Sequence, residues 1–195
     1  MTTHGGWTRA QALRAAVAGG AVLAGGAALG GRGSVAAQAP EDDADILAVF
    51  LVLEQVQAAF YRQAIDRGGL RDELLEFART VVGQEEQHAS FLSERVGGRA
   101  RDRPETDFAD ALSSPERFRD AAVELEEASL AAYVGQGANL SRDTVVDVAT
   151  LVSVEARQAA WVRDLSGISP APRAADPAKP PETVLTELRD RGYIA

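Results

Sequence analysis

The sequence predicts an all-α protein: a four-helix bundle with one long crossover between its second and third helices, followed by a short C-terminal helix. Three observations predict it. Apolar residues recur at three- and four-residue steps through four long segments bounded by caps or glycines. No segment shows sustained strand alternation. The links after the first and third segments are short, which makes antiparallel hairpins, and the link after the second can span the bundle's length.

The first helix is expected over about residues 43–67, with Leu47, Phe50, Glu54, Gln57, Tyr61 and Ala64 on one face. Gly68-Gly69 ends it, since glycine tolerates the left-handed cap. The second covers about 70–96 and carries Leu74, Ala78, Val81, Glu85, His88 and Leu92, with Gly97-Gly98 beyond. Residues 97–114 are polar, charged and without period, and form the crossover. The third helix opens with Ser114 as N-cap, Pro115 in the first turn and Glu116 beside it. Its stripe is Ala122, Val123, Glu126, Ser129, Leu130 and Tyr133, and Gly135 or Gly137 stops it. The fourth opens with Ser141 and has Asp143 near the positive end of the helix dipole. Its stripe is Val148, Leu151, Val152, Glu155, Gln158, Ala159 and Val162, and Gly167 ends it. The bundle domain is thus expected over 40–167. A proline-rich spacer and a short helix over about 182–191, packed on the outside, complete the tail at 168–195.

Ahead of the bundle, residues 1–39 read as an export signal. Arg9 and Arg14 give a positive start, and a glycine-rich apolar run follows over 15–29. The small-x-small site Val35-Ala36-Ala37 places cleavage before Gln38, because cutting after Ala39 would put Pro40 next. The run is too short and glycine-rich for a stable membrane span, so no span is expected after cleavage; an uncleaved anchor is the alternative. The stretch 8–13 resembles a twin-arginine signal lacking its second arginine, which leaves a Tat-like or a Sec route. Either predicts a protein of the periplasm, cell envelope or exterior.

Composition removes other functions. The 195-residue chain carries a net charge of −9 and no basic stripe, which argues against nucleic acid. It has no cysteine, which excludes disulfides, thiolate zinc sites, Fe–S clusters, thiol catalysis and a lipoprotein anchor.

Four glutamates occupy apolar stripes where leucine would be expected: Glu54, Glu85, Glu126 and Glu155. The halves of the chain repeat the pattern. Tyr61 and Tyr133 follow Glu54 and Glu126 by seven residues; Glu85-x-x-His88 and Glu155-x-x-Gln158 come about thirty residues after each of those glutamates. A single glutamate in such a stripe ordinarily reaches out to solvent, and a single histidine is ordinarily a satisfied core residue. Four carboxylates converging in one dry core are very costly unless a cation neutralises them. Two metal ions carry four positive charges and match that number. Positions i and i+3 share a helix face, so Glu-x-x-His aims a carboxylate and an imidazole at one point. These ligands suit iron and manganese, and zinc also binds them. Tyr61 and Tyr133 are expected as core packers able to donate a hydrogen bond to a ligating carboxylate. Glu86, Glu124 and Glu127 fall off the inner faces and read as solvated surface, and Trp161 as core.

Several stretches together carry a family resemblance. They are Leu53-Glu54 with Phe60-Tyr61-Arg62, Gln84-Glu85-Glu86-Gln87-His88 with Phe91-Leu92, Leu125-Glu126 with Ala132-Tyr133, and Ser153-Val154-Glu155-Ala156-Arg157-Gln158. Over about 45–165 the chain resembles the ferritin-like superfamily, which includes ferritins, bacterioferritins and rubrerythrins. It looks closest to exported ferritin-like domain proteins of the desiccation-related type. The resemblance implies a ferritin-like bundle with Glu54 and Glu126 as terminal ligands, Glu85 and Glu155 bridging two ions, and His88 completing one iron. Gln158 departs from the pattern, since many relatives have a second histidine there, and Gln57 stands where related exported proteins often have an acid. An asymmetric site follows, with a tight ion near Glu54, Glu85 and His88 and a labile one near Glu126. The implied function is a di-iron, or iron–manganese, protein oxidising ferrous iron with O2 or peroxide. The alternative is a non-catalytic, stress- or desiccation-related envelope protein with a degenerate metal site. The resemblance also allows a homo-oligomer; a storage cage is the weaker form of it.

Overall fold

The computed structural model describes residues 41–195. The export signal expected at 1–39 lies outside the described residues. Among the described residues five helices form: α1 (Glu41–Arg67), α2 (Asp72–Val96), α3 (Pro115–Gln136), α4 (Arg142–Leu165) and α5 (Pro181–Asp190), with a 3-10 turn at Gly97–Arg99. Among the described residues the only β pairing is an isolated bridge between Thr106 and Ile194. The helical bundle and the short C-terminal helix are those expected from the sequence.

Local chemistry sets most of the boundaries. Ser114 Oγ accepts the Arg117 N–H and Ser141 Oγ accepts the Thr144 N–H, so both expected caps form. Asp43 accepts both the N–H and the hydroxyl of Ser141, which ties the start of α1 to the start of α4. Helix α2 starts at Asp72, two residues later than expected. Gly68 turns left-handed at φ +70°, and the Arg71 guanidinium folds back onto the Gly68 and Leu70 carbonyls. Arg71 therefore helps close the link after α1, and its extended backbone delays α2.

Helices α1 and α2 pack as one hairpin and α3 and α4 as the other, with α1 also against α3 and α2 against α4. Tyr61 of α1 pairs with Glu126 of α3, and Tyr133 of α3 pairs with Glu54 of α1. This reciprocal pairing means that α1 and α3 run antiparallel, so the crossover has to travel the bundle's length. Helix α1 is buried beyond its stripe: Leu47 to Leu53 are all buried in succession. It is the one described helix long and apolar enough to cross a membrane, and most of its apolar stretch is buried inside the protein. Helices apolar all round are central helices of a core.

The crossover is more ordered than its composition suggests. Phe108 sits edge-on to Phe60 at 5.2 Å and against Tyr193 at 5.5 Å. The Asp107 N–H bonds to the Tyr193 carbonyl and the Ala195 N–H to the Glu105 carbonyl, so the chain's last residues pin the crossover. Val184, Leu185 and Leu188 bury α5 against the bundle. The strap before α5 docks on α3, where the Lys179 N–H bonds to the Ala131 carbonyl at 2.9 Å. Gly135 makes this approach possible, since a Cβ there would collide with the Lys179 backbone. Buried Arg163 secures the strap's other end through Glu127 at 2.8 Å and the Pro170 carbonyl.

Candidate metal centre

Each long helix sends one glutamate to the centre: Glu54 from α1, Glu85 from α2, Glu126 from α3 and Glu155 from α4. All four are 0% exposed. Aromatic rings wall them off: Phe50 lies 4.2 Å from Tyr133, and Phe77 packs between Tyr61 and Trp161. The sequence places these carboxylates correctly on inner faces because the stripe period fixes direction. Bringing them to one level is the work of the two hairpins.

Glu54, Glu85, His88 and Glu155 can each offer one ligand atom, all within 4.8 Å of one another. His88 Nδ1 is 3.2 Å from Glu54 Oε2, 3.6 Å from Glu85 Oε2 and 3.0 Å from Glu155 Oε1. Its directed hydrogen bond goes to Glu54, and both Glu155 oxygens remain without one. The Tyr133 hydroxyl donates to Glu54 Oε1, and the Tyr61 hydroxyl donates to Glu126 Oε1 at 2.5 Å. Glu126 stands outside the four-donor group. Gln158 is brought to the centre with its amide N–H foremost: Nε2 donates to Glu85 Oε1 at 2.6 Å and to Gln84 Oε1 at 3.1 Å. Each tyrosine thus serves the glutamate of the facing helix, not that of its own.

The electrostatics divide the glutamates. Burial pushes Glu54 up, but hydrogen bonds from Glu85, His88 and Tyr133 and the His88 charge outweigh it and hold Glu54 below the usual range. Burial, then the charges of Glu155 and Glu54, push Glu85 well above it. Burial and the Glu155 charge do the same to Glu126, although Tyr61 and Gln57 pull against them. Glu155 rises to about 7, chiefly by burial and by Glu54, with His88 opposing. Burial lowers His88, but Glu155 and Glu54 more than reverse this and hold it at about 10. Burial keeps the phenols of Tyr61 and Tyr133 protonated as donors. Glu54 and the His88 imidazolium are thus held in their charged forms, Glu85 and Glu126 are held toward neutrality, and Glu155 stands between, at about 7.

This division predicts a pH dependence. The His88 contribution is complete below its ordinary value of 6.5 and is lost as pH rises toward about 10. Folded Glu155 keeps its proton from the ordinary 4.5 up to about 7, so its contribution also falls as pH rises through that window. Metal-free protein is expected to show a higher urea midpoint at pH 5 than at pH 9. A midpoint that climbs over this range would contradict the assignment.

The donor set fits a cation. Glu85 Oε2, Glu126 Oε2, both Glu155 oxygens and Gln158 Oε1 are buried without a hydrogen bond. Each such group costs about 1–3 kcal/mol, more when charged. A divalent ion held by carboxylate oxygens and one imidazole would satisfy several of them at once. Two polar residues near the centre, Ser129 and Gln84, were not read as site residues from the sequence, and Gln57 was read only as a departure from related proteins. The available signal was that each stripe glutamate has a polar residue three positions later, at Gln57, His88, Ser129 and Gln158.

A comparison with curated proteins returns no match. The family model described as a ferritin-like domain matches residues 42–167, which takes in the four long helices and stops short of the strap and α5. With two helical hairpins, a glutamate from each helix at the centre and this match over more than half its length, the chain belongs to the ferritin-like domain family.

Proposed function

We propose that the protein binds two metal ions, iron or iron with manganese, and oxidises ferrous iron with O2 or peroxide. The observation that carries this is the buried group of Glu54, Glu85, His88 and Glu155, with donor atoms within 4.8 Å of one another. Glu126 would serve a second ion. Ferrous iron is the substrate: each ferrous ion would yield one electron and leave as ferric, and two such electrons with two protons would take O2 to hydrogen peroxide or peroxide to two waters. The side chains supply charge and position. The Tyr133 and Tyr61 hydroxyls hold one oxygen of Glu54 and one of Glu126, and the Gln158 amide holds one of Glu85; Glu85 Oε2 and Glu126 Oε2 would be free for an ion, and Glu54 Oε2 would become free as His88 releases it. To serve as a ligand through Nδ1, His88 would have to give up its proton. The buried walls exclude water and strengthen each of these interactions. The N-terminal sequence supports action outside the cytoplasm.

The test is to load purified protein with ferrous iron anaerobically and then admit oxygen. Ferric absorbance in the near ultraviolet should develop, and Glu85→Ala should bind less iron and develop less. Absence of ferric absorbance together with unchanged binding in Glu85→Ala would end this reading.

One observation favours a second reading. Glu54, Glu126 and Glu85 already accept directed hydrogen bonds from Tyr133, His88, Tyr61 and Gln158. A network of this kind serves a non-catalytic envelope protein whose metal site has degenerated. Metal analysis of protein isolated without chelators separates the two: stoichiometric iron or manganese supports the first, and metal-free protein the second.

A further inference from the structure

One corner of the centre is not used by the four-donor group. Of the polar residues three positions after each glutamate, His88 joins that group and Gln158 donates to Glu85. Gln57 and Ser129 do neither. Gln57 is 1% exposed and Ser129 2%. Both amide atoms of Gln57 and the hydroxyl of Ser129 lack a hydrogen-bond partner. Gln57 lies close enough to Glu126, and Ser129 to Glu155, to pull those carboxyls down, yet neither pair is aligned as a directed hydrogen bond. Glu126 Oε2 and both Glu155 oxygens are unpartnered in the same way. The pairs Gln57 with Glu126 and Ser129 with Glu155 therefore add buried oxygens to the centre, with the His88 imidazole touching this set only at Glu155 Oε1, 3.0 Å away. Gln158 brings its N–H to Glu85 and Gln84 instead, because two oxygens accept it there.

Resting on the two-ion reading above, we propose that Gln57, Glu126, Ser129 and Glu155 form an all-oxygen subsite that selects a hard divalent cation, of the manganese or magnesium class, for the second position. Carboxylate, carbonyl and hydroxyl oxygens suit these ions, whereas imidazole favours iron and zinc. Two carboxylates neutralise one divalent ion, and the amide and hydroxyl complete its oxygen ligands without adding charge. Glu155, with Oε1 facing His88 at 3.0 Å and Oε2 unpartnered, belongs to both subsites. The two positions then differ in chemistry as well as in affinity.

Calorimetric titration of the metal-free full chain tests this. Mn(II) should bind in two steps, whereas Zn(II) should give one tight step at the His88 position and a far weaker second. Combining Gln57→Leu with Ser129→Ala should weaken the second Mn(II) step by about ten- to a hundredfold and leave the first unchanged. The same double variant should be at least as stable as the parent without metal, because it removes unsatisfied polar atoms from the core. Purely structural roles for Gln57 and Ser129 would instead lower stability and leave the second step alone. A second step unchanged in the double variant, beside an intact first step, overturns the subsite and spares the first ion. No Mn(II) binding, or Mn(II) binding indifferent to Glu85→Ala, overturns the subsite and the metal reading together.

Discussion

Glu54→Gln is expected to destabilise the metal-free protein by about 3–5 kcal/mol, whereas Glu85→Gln and Glu126→Gln leave it unchanged or more stable. The contrast comes from what each carboxylate accepts. Both oxygens of Glu54 take a donor, Tyr133 on one and His88 on the other. Glutamine offers only one acceptor, so its amide N–H2 must confront one of these donors. The variant also removes one of the two carboxylates, Glu54 and Glu155, that hold the His88 proton in place. Glu85 and Glu126 each accept on Oε1 and leave Oε2 unpartnered. Glutamine there keeps its carbonyl on the donor, and its amide N–H2 can donate where the protonated carboxyl did, toward Glu54 from position 85 and toward the Gln57 carbonyl from position 126. Both carboxyls are already pushed toward their neutral forms by burial and by neighbouring glutamates, so little charge is lost. Urea midpoints at pH 7 in the presence of a chelator measure the effect. Equal losses in all three variants would show that the glutamates are equivalent and would defeat this account.

Saturating Mn(II), or anaerobic Fe(II), is expected to raise the melting temperature sharply. A ligand held at about a thousandfold above its dissociation constant stabilises by about 4 kcal/mol. For a chain of this size that corresponds to roughly 8–16 °C. The stabilisation has a direct source, since the ion neutralises carboxylates that otherwise stay protonated or unsatisfied in the core. Glu85→Ala should lose most of the shift, and monovalent ions should produce none. A melting temperature indifferent to both divalent ions would favour the non-catalytic reading. Protons compete with the ion for His88 and the raised carboxyls, so the shift should be larger at pH 8 than at pH 6.

Much of the fold was legible because its signals are local. Ser114 and Ser141 announce helix starts through bonds to N–H groups three residues on, which depend on nothing distant. The stripe glutamates were legible because a 3.6-residue period fixes which way a side chain faces. The start of α2 was misplaced because the backbone around Gly68 and Arg71 obeys a turn, not a stripe. The tyrosines show the limit most clearly. Seven residues along a helix is about 10 Å, too far for Tyr61 to reach Glu54 on its own helix. Its partner had to come from elsewhere, and the antiparallel meeting of α1 and α3 supplies Glu126.

The docking of the tail was similarly hidden. Nothing in the composition of residues 97–114 indicates that Phe108 seats against Phe60 and Tyr193, or that Ile194 bridges to Thr106. Gly135 looked like a helix stop and proved to be the place where the Lys179 backbone crosses α3.

The amino-acid sequence by itself determined the helices, their inner faces and the four acidic residues placed on them, because each depends on neighbours within a turn or two of chain. Tertiary structure alone decided which carboxylates share a donor, which glutamate keeps its charge, and that Gln158 presents an N–H. It also left Gln57 and Ser129 unpartnered in the core. Those outcomes depend on distances between separate helices, and on the loss of water around them, which no single helix's sequence encodes.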